Sequence, residues 1–425
     1  MYGSTVTVIR RIGGGGQGDV YEVLYGGEHK ALKWYRIDRI KDVPRFVRNL
    51  KNNIMDGSPT PEFLWPLDMT EYYDHTFGYV MDLCPPNYIE AKEFLLRRAE
   101  FASYRRRIDA CLHIVSAFRV LHGKGYSYQD INAGNFFIEP STGKVLICDN
   151  DNVVTNGMEN GVLGTLSYMA PEIIMRKSFP NKYSDRHSLA VLLYRLLLGP
   201  HPLEGGRSAR VVLDNETRST LFGSEALFAM DPYDPSNAPD PNIQGGLIKL
   251  WAQLPEHLRS LFVRAFSQDA LHHPEKRPME VDWLKALTRF RSEVVSCSCG
   301  NEVCCEHGRP VMCDECGSLV RVPYVAQVRD VVLPVTRDMR VYRCQLGAAR
   351  QSEALDLVAY VVGSVDNPAV LGLRNMTKIP WKASAPGRGF FELRRDGVQQ
   401  IRPGLVVFSS RSSREVAIRI GRNPY

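Results

Sequence analysis

Three oxygen-bearing side chains in YSYQDINAGNFFIEPSTGKVLICDND, residues 126 to 151, could do chemistry together. Asp130 is followed by Asn135, an apolar pair and a Ser-Thr-Gly turn, and the buried-strand pattern VLIC then delivers Asp149. One short hairpin therefore converges three hard ligands. Mg²⁺ is held by one or two carboxylates plus substrate phosphates and keeps several waters, so this trio suits phosphoryl transfer. Asp130 would meet an acceptor hydroxyl while Asn135 and Asp149 would hold the metal. A polar hairpin with scattered carboxylates would read the same way, and the flanking sequence has to decide.

The elements that would position this trio begin at the other end of the chain. Residues 5 to 35 read as three strands, TVTVIRRI, GDVYEVLYG and HKALKWY, with a Gly26-Gly27 turn before the third. Between the first two lies GGGGQG, with Gly13, Gly15 and Gly18 in GxGxxG spacing, where absent side chains let backbone N–H groups approach phosphates. A strand follows the glycines rather than a helix, which excludes the dinucleotide fingerprint. Ala31-Leu32-Lys33 then sits where the next strand returns.

Taken in order, Gly13/Gly15/Gly18-x-Val20, Ala31-x-Lys33, Asp130 with Asn135, Asp149, and GTLSYMAPE at 164 to 172 resemble a protein kinase of the Hanks type. Asp185 in YSDRHSLAVLLYRLLLG resembles the residue that anchors the catalytic loop, and Arg277 the arginine that pairs with Glu172. The resemblance covers roughly residues 5 to 292. It implies an α+β, two-lobed kinase fold, with an N-lobe at 1–84 and a C-lobe at 85–293. It also implies ATP and Mg²⁺ as cofactors and a protein as acceptor. Lys33 would hold the α- and β-phosphates, Val20, Ala31 and Phe137 would enclose adenine, Asp82 to Cys84 would offer hinge groups, and Met81 would be the gatekeeper. Thr165 resembles the threonine that braces the catalytic aspartate, which points to Ser/Thr acceptors. A further likeness, to bacterial kinases of the tellurite- and stress-resistance group, implies a phosphatase and a von Willebrand-type protein as partners.

The departures are as informative. Tyr128-Gln129-Asp130 stands for His-Arg-Asp, Asn132 for a lysine, and Asp149-Asn150-Asp151 for Asp-Phe-Gly. Without the arginine, a phosphate near Thr165 or Ser167 has no charge-assisted clamp, so loop phosphorylation is not expected to be the switch. The helix expected at DVPRFVRNLKNNIM contains no Glu for Lys33. Lys33 would then depend on Asn49 or Asn52, on nucleotide, or on a partner docked against residues 41 to 56. These losses leave a rival reading, a nucleotide-binding pseudokinase scaffold.

Elsewhere the chain reads as ordinary globular protein. It has 425 residues, 44% hydrophobic and 24% charged, with a net charge of +6 spread among acids, which gives little support to nucleic-acid binding. No apolar run reaches membrane length and the first residues lack a leader pattern, so the cytoplasm is the expected setting. The arginine-rich pattern at 95 to 122 predicts one helix with a solvated basic face. Residues 204 to 246 predict an ordered surface insertion.

Six of ten cysteines fall between 297 and 316, which predicts a zinc ribbon over 294–322. Cys297, Cys299, Cys313 and Cys316 are the first-choice structural ligands, with Cys304, Cys305 and His307 as alternates. Short alternating strands over 323–425 predict a small all-β domain, a sandwich or barrel. LGLRNMTKIPWKA followed by PGLVVF is faintly similar to forkhead-associated domains, without the Arg, Ser and His spacing that reads phosphothreonine.

Overall fold

The computed structural model describes residues 5–347, 350–367, 369–408 and 416–425. The chain forms two compact units. The first comprises Met1–Ala102, His113–Leu247 and Phe262–Pro278, the second Ser103–Leu112, Ile248–Leu261 and Met279–Tyr425. Three stretches of the expected C-lobe, 103–112, 248–261 and 279–293, group with the residues of the expected ribbon and β domain.

The first unit opens with an antiparallel sheet of β1 (Val6–Gly14), β2 (Gly18–Tyr25), β3 (Glu28–Tyr35), β4 (Asp68–Met69) and β5 (Gly78–Asp82), in the order β1-β2-β3-β5-β4. Gly26 and Gly27 take φ of 61° and 83°, the pair of left-handed positions that a two-residue hairpin requires. Successive strand residues point to opposite faces, so Ala31, Lys33 and Tyr35 share one face of β3. That face is the inner one. Helix α1 (Val43–Asp56) starts where the Asp42 carboxylate accepts the Arg45 N–H at 3.0 Å, with a proline in the first turn. Its Phe46 packs edge-on against Tyr35, and Tyr35, Leu50, Phe77, Tyr79 and Met81 form the core around Lys33.

The remainder of the first unit is mostly helical. Helix Lys182–Leu198 is almost wholly buried and begins with a reciprocal cap between Asn181 and Ser184. Two short strands, Phe136–Ile138 and Val145–Ile147, form the hairpin that carries Asn135 at one end and leads to Asp149 at the other. The single helix expected over 95 to 122 is instead two, Ala91–Leu95 and Tyr104–Gly123. Arg97 takes a left-handed φ of 57° after the first, and the Ser103 hydroxyl accepts the Arg106 N–H at the start of the second. Apolar periodicity runs through the break without marking it. The segment 230–242 is ordered by Asn237, whose buried amide donates to the Leu203 and Leu227 carbonyls.

In the second unit the basic face expected to be solvated is partly buried. Arg105 donates to Glu302 at 2.8 Å and to the Val294 carbonyl at 2.7 Å. Asp109 accepts from Arg106 at 3.0 Å and from buried Arg291, on helix Glu280–Glu293, at 3.1 Å. Two hairpins follow, Val294–Ser296 with Glu302–Cys304, and Val311–Met312 with Leu319–Val320. The rest is a six-stranded and a four-stranded antiparallel sheet sharing one core that includes Val341, Val358, Leu373, Trp381 and Val407. RVYRCQL, expected as a strand, becomes strand Arg340–Tyr342 and a helical turn Arg343–Leu346, because the Gln345 side chain accepts the Tyr342 N–H. The last expected strand is observed over Val416–Arg422; its predicted first residue, Glu415, lies outside the described residues.

Asp109→Asn should test this packing. It removes the only carboxylate within reach of buried Arg291 among the described residues, which costs about 3–5 kcal/mol when a buried pair loses one partner. Guanidinium denaturation should show a correspondingly lowered midpoint.

Candidate functional site

The glycine loop, the inner face of the sheet and the hairpin ends enclose a cavity of about 620 Å³. Its walls include Gly13, Gly15, Gly18, Val20, Ala31, Lys33, Met81, Asp82, Cys84 and Phe137, with Asp130, Asn135 and Asp149 at its polar end. Every residue expected to bind nucleotide thus faces one space. Gly18 is required there by sterics, since a Cβ would lie 2.2 Å from the Trp34 carbonyl oxygen. Gly13 and Gly15 have open space instead, so their lack of side chains leaves loop backbone free to approach a ligand.

Lys33 is 4% exposed, and its ammonium is fully partnered. It lies 2.9 and 3.1 Å from the two carboxylate oxygens of Asp151, 3.2 Å from Asp149 and 3.4 Å from the side-chain Oε1 of Gln17. Burial pushes the amine's pKa down, but the charges of Asp151 and Asp149 outweigh it and hold the ammonium above its ordinary value. Asp151 also accepts from the hydroxyls of Tyr35 at 2.7 Å and Tyr79 at 3.4 Å. Both phenols are kept protonated by burial and by the facing carboxylate.

The expectation that Lys33 lacks an acidic partner is therefore corrected. The partner comes from the third position of Asp149-Asn150-Asp151, not from α1. Asn49 and Asn53 on α1 both donate to the Val153 carbonyl, at 2.8 and 2.9 Å, and thereby fasten the helix to the same segment. Asn52 is exposed and makes no such bond among the described residues. A carboxylate two residues beyond Asp149, in a chain whose helix has none to offer, is the signal that points to Asp151. Asn150, where an apolar plug was lost, is fully buried and donates to the Leu64 and Ile147 carbonyls, both at 2.8 Å.

The loop that carries Asp130 hangs from Asp185. That carboxylate is 2% exposed and accepts the N–H groups of Tyr128 and Gln129 at 2.7 and 2.9 Å, with His122 Nε2 at 3.0 Å. Gln129 takes a φ of 73° and sends its side chain inward, donating to the Met158 and Pro180 carbonyls at 2.9 and 3.1 Å. A neutral amide thus ties the segment that an arginine would have charged. Tyr128 donates its hydroxyl to the Cys148 carbonyl, joining the loop to the strand end before Asp149. Asp130 accepts from Thr165 Oγ1 at 2.9 Å, and Asn135 donates to the Asp130 backbone carbonyl at 2.9 Å. Burial raises the Asp130 carboxyl's pKa and the Thr165 hydroxyl opposes the rise. Arg277 forks onto Glu172 at 2.8 and 2.7 Å.

A cleft roofed by glycines, with a buried lysine and two carboxylates at its polar end, defines a phosphoryl-transfer class of site. Residues 6–273 match the protein kinase domain, and the chain belongs to the protein kinase family. It is 26% identical over 266 residues to the hormonally up-regulated neu tumor-associated kinase of Homo sapiens, covering 57% of this chain and 36% of that protein. It is 27% identical over 220 residues to ribosomal protein S6 kinase alpha-4 of Homo sapiens, covering 48% and 28%. The serine/threonine-protein kinase PrkC of Bacillus subtilis is 26% identical over 220 residues, covering 48% and 32%. The chain thus spans about a third of the length of the curated relatives it matches. The family implies use of ATP and Mg²⁺. No helix among the described residues is long and apolar enough to cross a membrane.

A second cluster lies in the paired hairpins of the other unit. The sulfurs of Cys297, Cys299, Cys313 and Cys316 all lie within 4.8 Å of one another. Each pair sits on a similar turn, with Gly300 N–H donating to the Cys297 carbonyl at 3.0 Å and Gly317 N–H to the Cys313 carbonyl at 2.8 Å. Both glycines have positive φ, at 94° and 70°. Four thiolates about 2.3 Å from a central zinc stand roughly 3.8 Å apart in a tetrahedron. The contacts Cys297–Cys316 at 3.6 Å and Cys299–Cys313 at 3.7 Å are compatible with that spacing. The Cys316 backbone N–H and the Asn301 amide, both directed at its sulfur, lower the Cys313 thiol to about 6. The alternates stand apart from the cluster. His307 Nε2 is occupied by Arg289 at 2.9 Å, and neither Cys304 nor Cys305 joins the group, although Cys305 shares an apolar core with Cys297 and Cys313.

Thr165→Ala should move the acid limb of kcat/KM to higher pH. The threonine hydroxyl stabilises ionised Asp130, so its loss leaves burial unopposed and raises the pKa further. Initial rates across the mildly acidic range check this, and an unmoved limb counts against the bond.

Proposed function

We propose that the chain is an ATP-dependent serine/threonine protein kinase that phosphorylates a partner protein or itself, in a cytosolic signalling or stress-response module. The observation that carries this reading is that Lys33, Asp130, Asn135 and Asp149 line one cavity beneath the glycine loop. Lys33 and loop N–H groups bind the phosphates. Asp130, aligned by Thr165 and by the Asp185-held backbone, accepts the hydroxyl hydrogen of the incoming Ser or Thr and points its oxygen at the reacting phosphorus. Asn135 and Asp149 would hold Mg²⁺, which supplies charge neutralisation on the phosphates when bound. Val20, Ala31 and Phe137 enclose the base, and the hinge at Asp82 to Cys84 offers it backbone groups.

Incubation with Mg²⁺ and labelled ATP should give phosphate on Ser or Thr of the chain or of a generic acceptor. Asp149→Ala should abolish transfer, and Asp130→Asn should nearly do so while leaving nucleotide binding intact. Wild-type incorporation no greater than that of Asp149→Ala would establish a nucleotide-binding scaffold instead.

The cysteine cluster is assigned to one structural zinc, since a closed thiolate site has no open position for chemistry. Elemental analysis should find one zinc per chain. Cys313→Ser with Cys316→Ser should release it and lower the thermal midpoint, because metal-binding free energy becomes folding free energy in so small an element.

A further inference from the structure

We propose that Asp151 is the positioning residue that fixes Lys33 for the nucleotide's phosphates, so that the lysine is set by the metal-binding segment itself and not by α1. The inference rests on the kinase reading of the same cleft. It starts from what α1 can offer. The helix and its cap hold two carboxylates, Asp42, which caps it, and Asp56, which takes the Tyr126 hydroxyl. Its inward polar groups, Asn49 and Asn53, are spent on the Val153 carbonyl.

Asp149 and Asp151 divide the work between them. The Asp149 side chain is 38% exposed and lines the cleft, where metal and phosphates compete for it. Asp151 has no exposed side-chain surface, is not among the residues lining the cleft, and meets Lys33 with both oxygens. Two tyrosine hydroxyls fill its remaining acceptor capacity. Ligand cannot reach this carboxylate, so when Asp149 turns to metal the ammonium keeps one partner. A buried cation left with none would lose its charge or its place. Segment 149–151 therefore carries both the metal carboxylate and the anchor of the phosphate-binding lysine, and the two move together.

Two variants test this, read by steady-state kinetics with Mg·ATP and a fixed protein acceptor. Asp151→Asn keeps the shape and removes the charge; kcat should fall ~100-fold, the loss that a misplaced reacting group brings, with the KM for acceptor unchanged. Tyr35→Phe keeps both charges and loosens Asp151, and kcat should fall on the order of threefold to tenfold. A purely structural role would lower the thermal midpoint and leave kcat and the ATP KM of the folded protein alone. Wild-type kinetics in folded Asp151→Asn overturn the proposal. If that variant does not fold, unchanged kinetics in Tyr35→Phe overturn it. Equilibrium binding of Mg·ATP separates this failure from failure of the kinase reading. Wild type that binds Mg·ATP but transfers nothing sinks that reading alone, and the anchor is then judged by whether folded Asp151→Asn binds Mg·ATP on the order of tenfold more weakly. Unchanged affinity overturns it.

Discussion

A cation sealed inside an apolar lobe must be neutralised at contact distance, and much of the first unit is arranged around that requirement. Lys33 sits on the inner face of β3 because strand alternation puts it there with Ala31 and Tyr35. A solitary ammonium at that depth would carry a desolvation cost of several kcal/mol. Asp151 removes it, and Tyr35 and Tyr79 let Asp151 be buried in turn. Tyr35 packs against Phe46, Phe77 and Tyr79, so the ion pair and the aromatic core are one construction.

Neutral groups hold what charges hold elsewhere in the cleft. Gln129 ties the segment around Met158 and Pro180 with an amide, and Asn150 fastens the strand end with another. The N–H groups of these amides are satisfied by carbonyls and need no counter-ion, so these ties do not respond to added phosphate as an arginine would. Asp185 is the exception. It is a buried carboxylate whose partners are two backbone N–H groups and a histidine, and it holds the loop that carries Asp130 from beneath.

The cleft is legible in the sequence because its parts are short and stereotyped. A glycine spacing, a lysine one strand later, and an aspartate with an asparagine five residues on each carry their meaning locally. Partnerships across long separations are not legible in that way. Asp151 lies 118 residues from Lys33, and a search confined to α1 passes over it. Glu302 lies 197 residues from Arg105, which is why a basic helical face reads as solvated until its acceptor is seen. Periodicity also hides the break between Leu95 and Tyr104, because only a serine cap and a left-handed arginine mark it. In the cysteine segment, seven candidate ligands leave the choice open in sequence. Folding gathers one set, because among the described residues the sulfurs of Cys297, Cys299, Cys313 and Cys316 come within 4.8 Å of one another.

The buried amide of Asn150 has a bearing on small-molecule recognition. Swinging that residue outward would strand the Leu64 carbonyl, at about 1–3 kcal/mol for a buried acceptor left without a donor, and would leave the Ile147 carbonyl with the Leu64 N–H alone. Asn150 is thus held by hydrogen bonds rather than by packing that an apolar compound could replace. Compounds that need this residue displaced would find little purchase here. Selective chemistry has to enter through the cleft itself, where Met81, Cys84 and Phe137 shape the wall and burial holds the Cys84 thiol at about 11, too protonated for a mild electrophile.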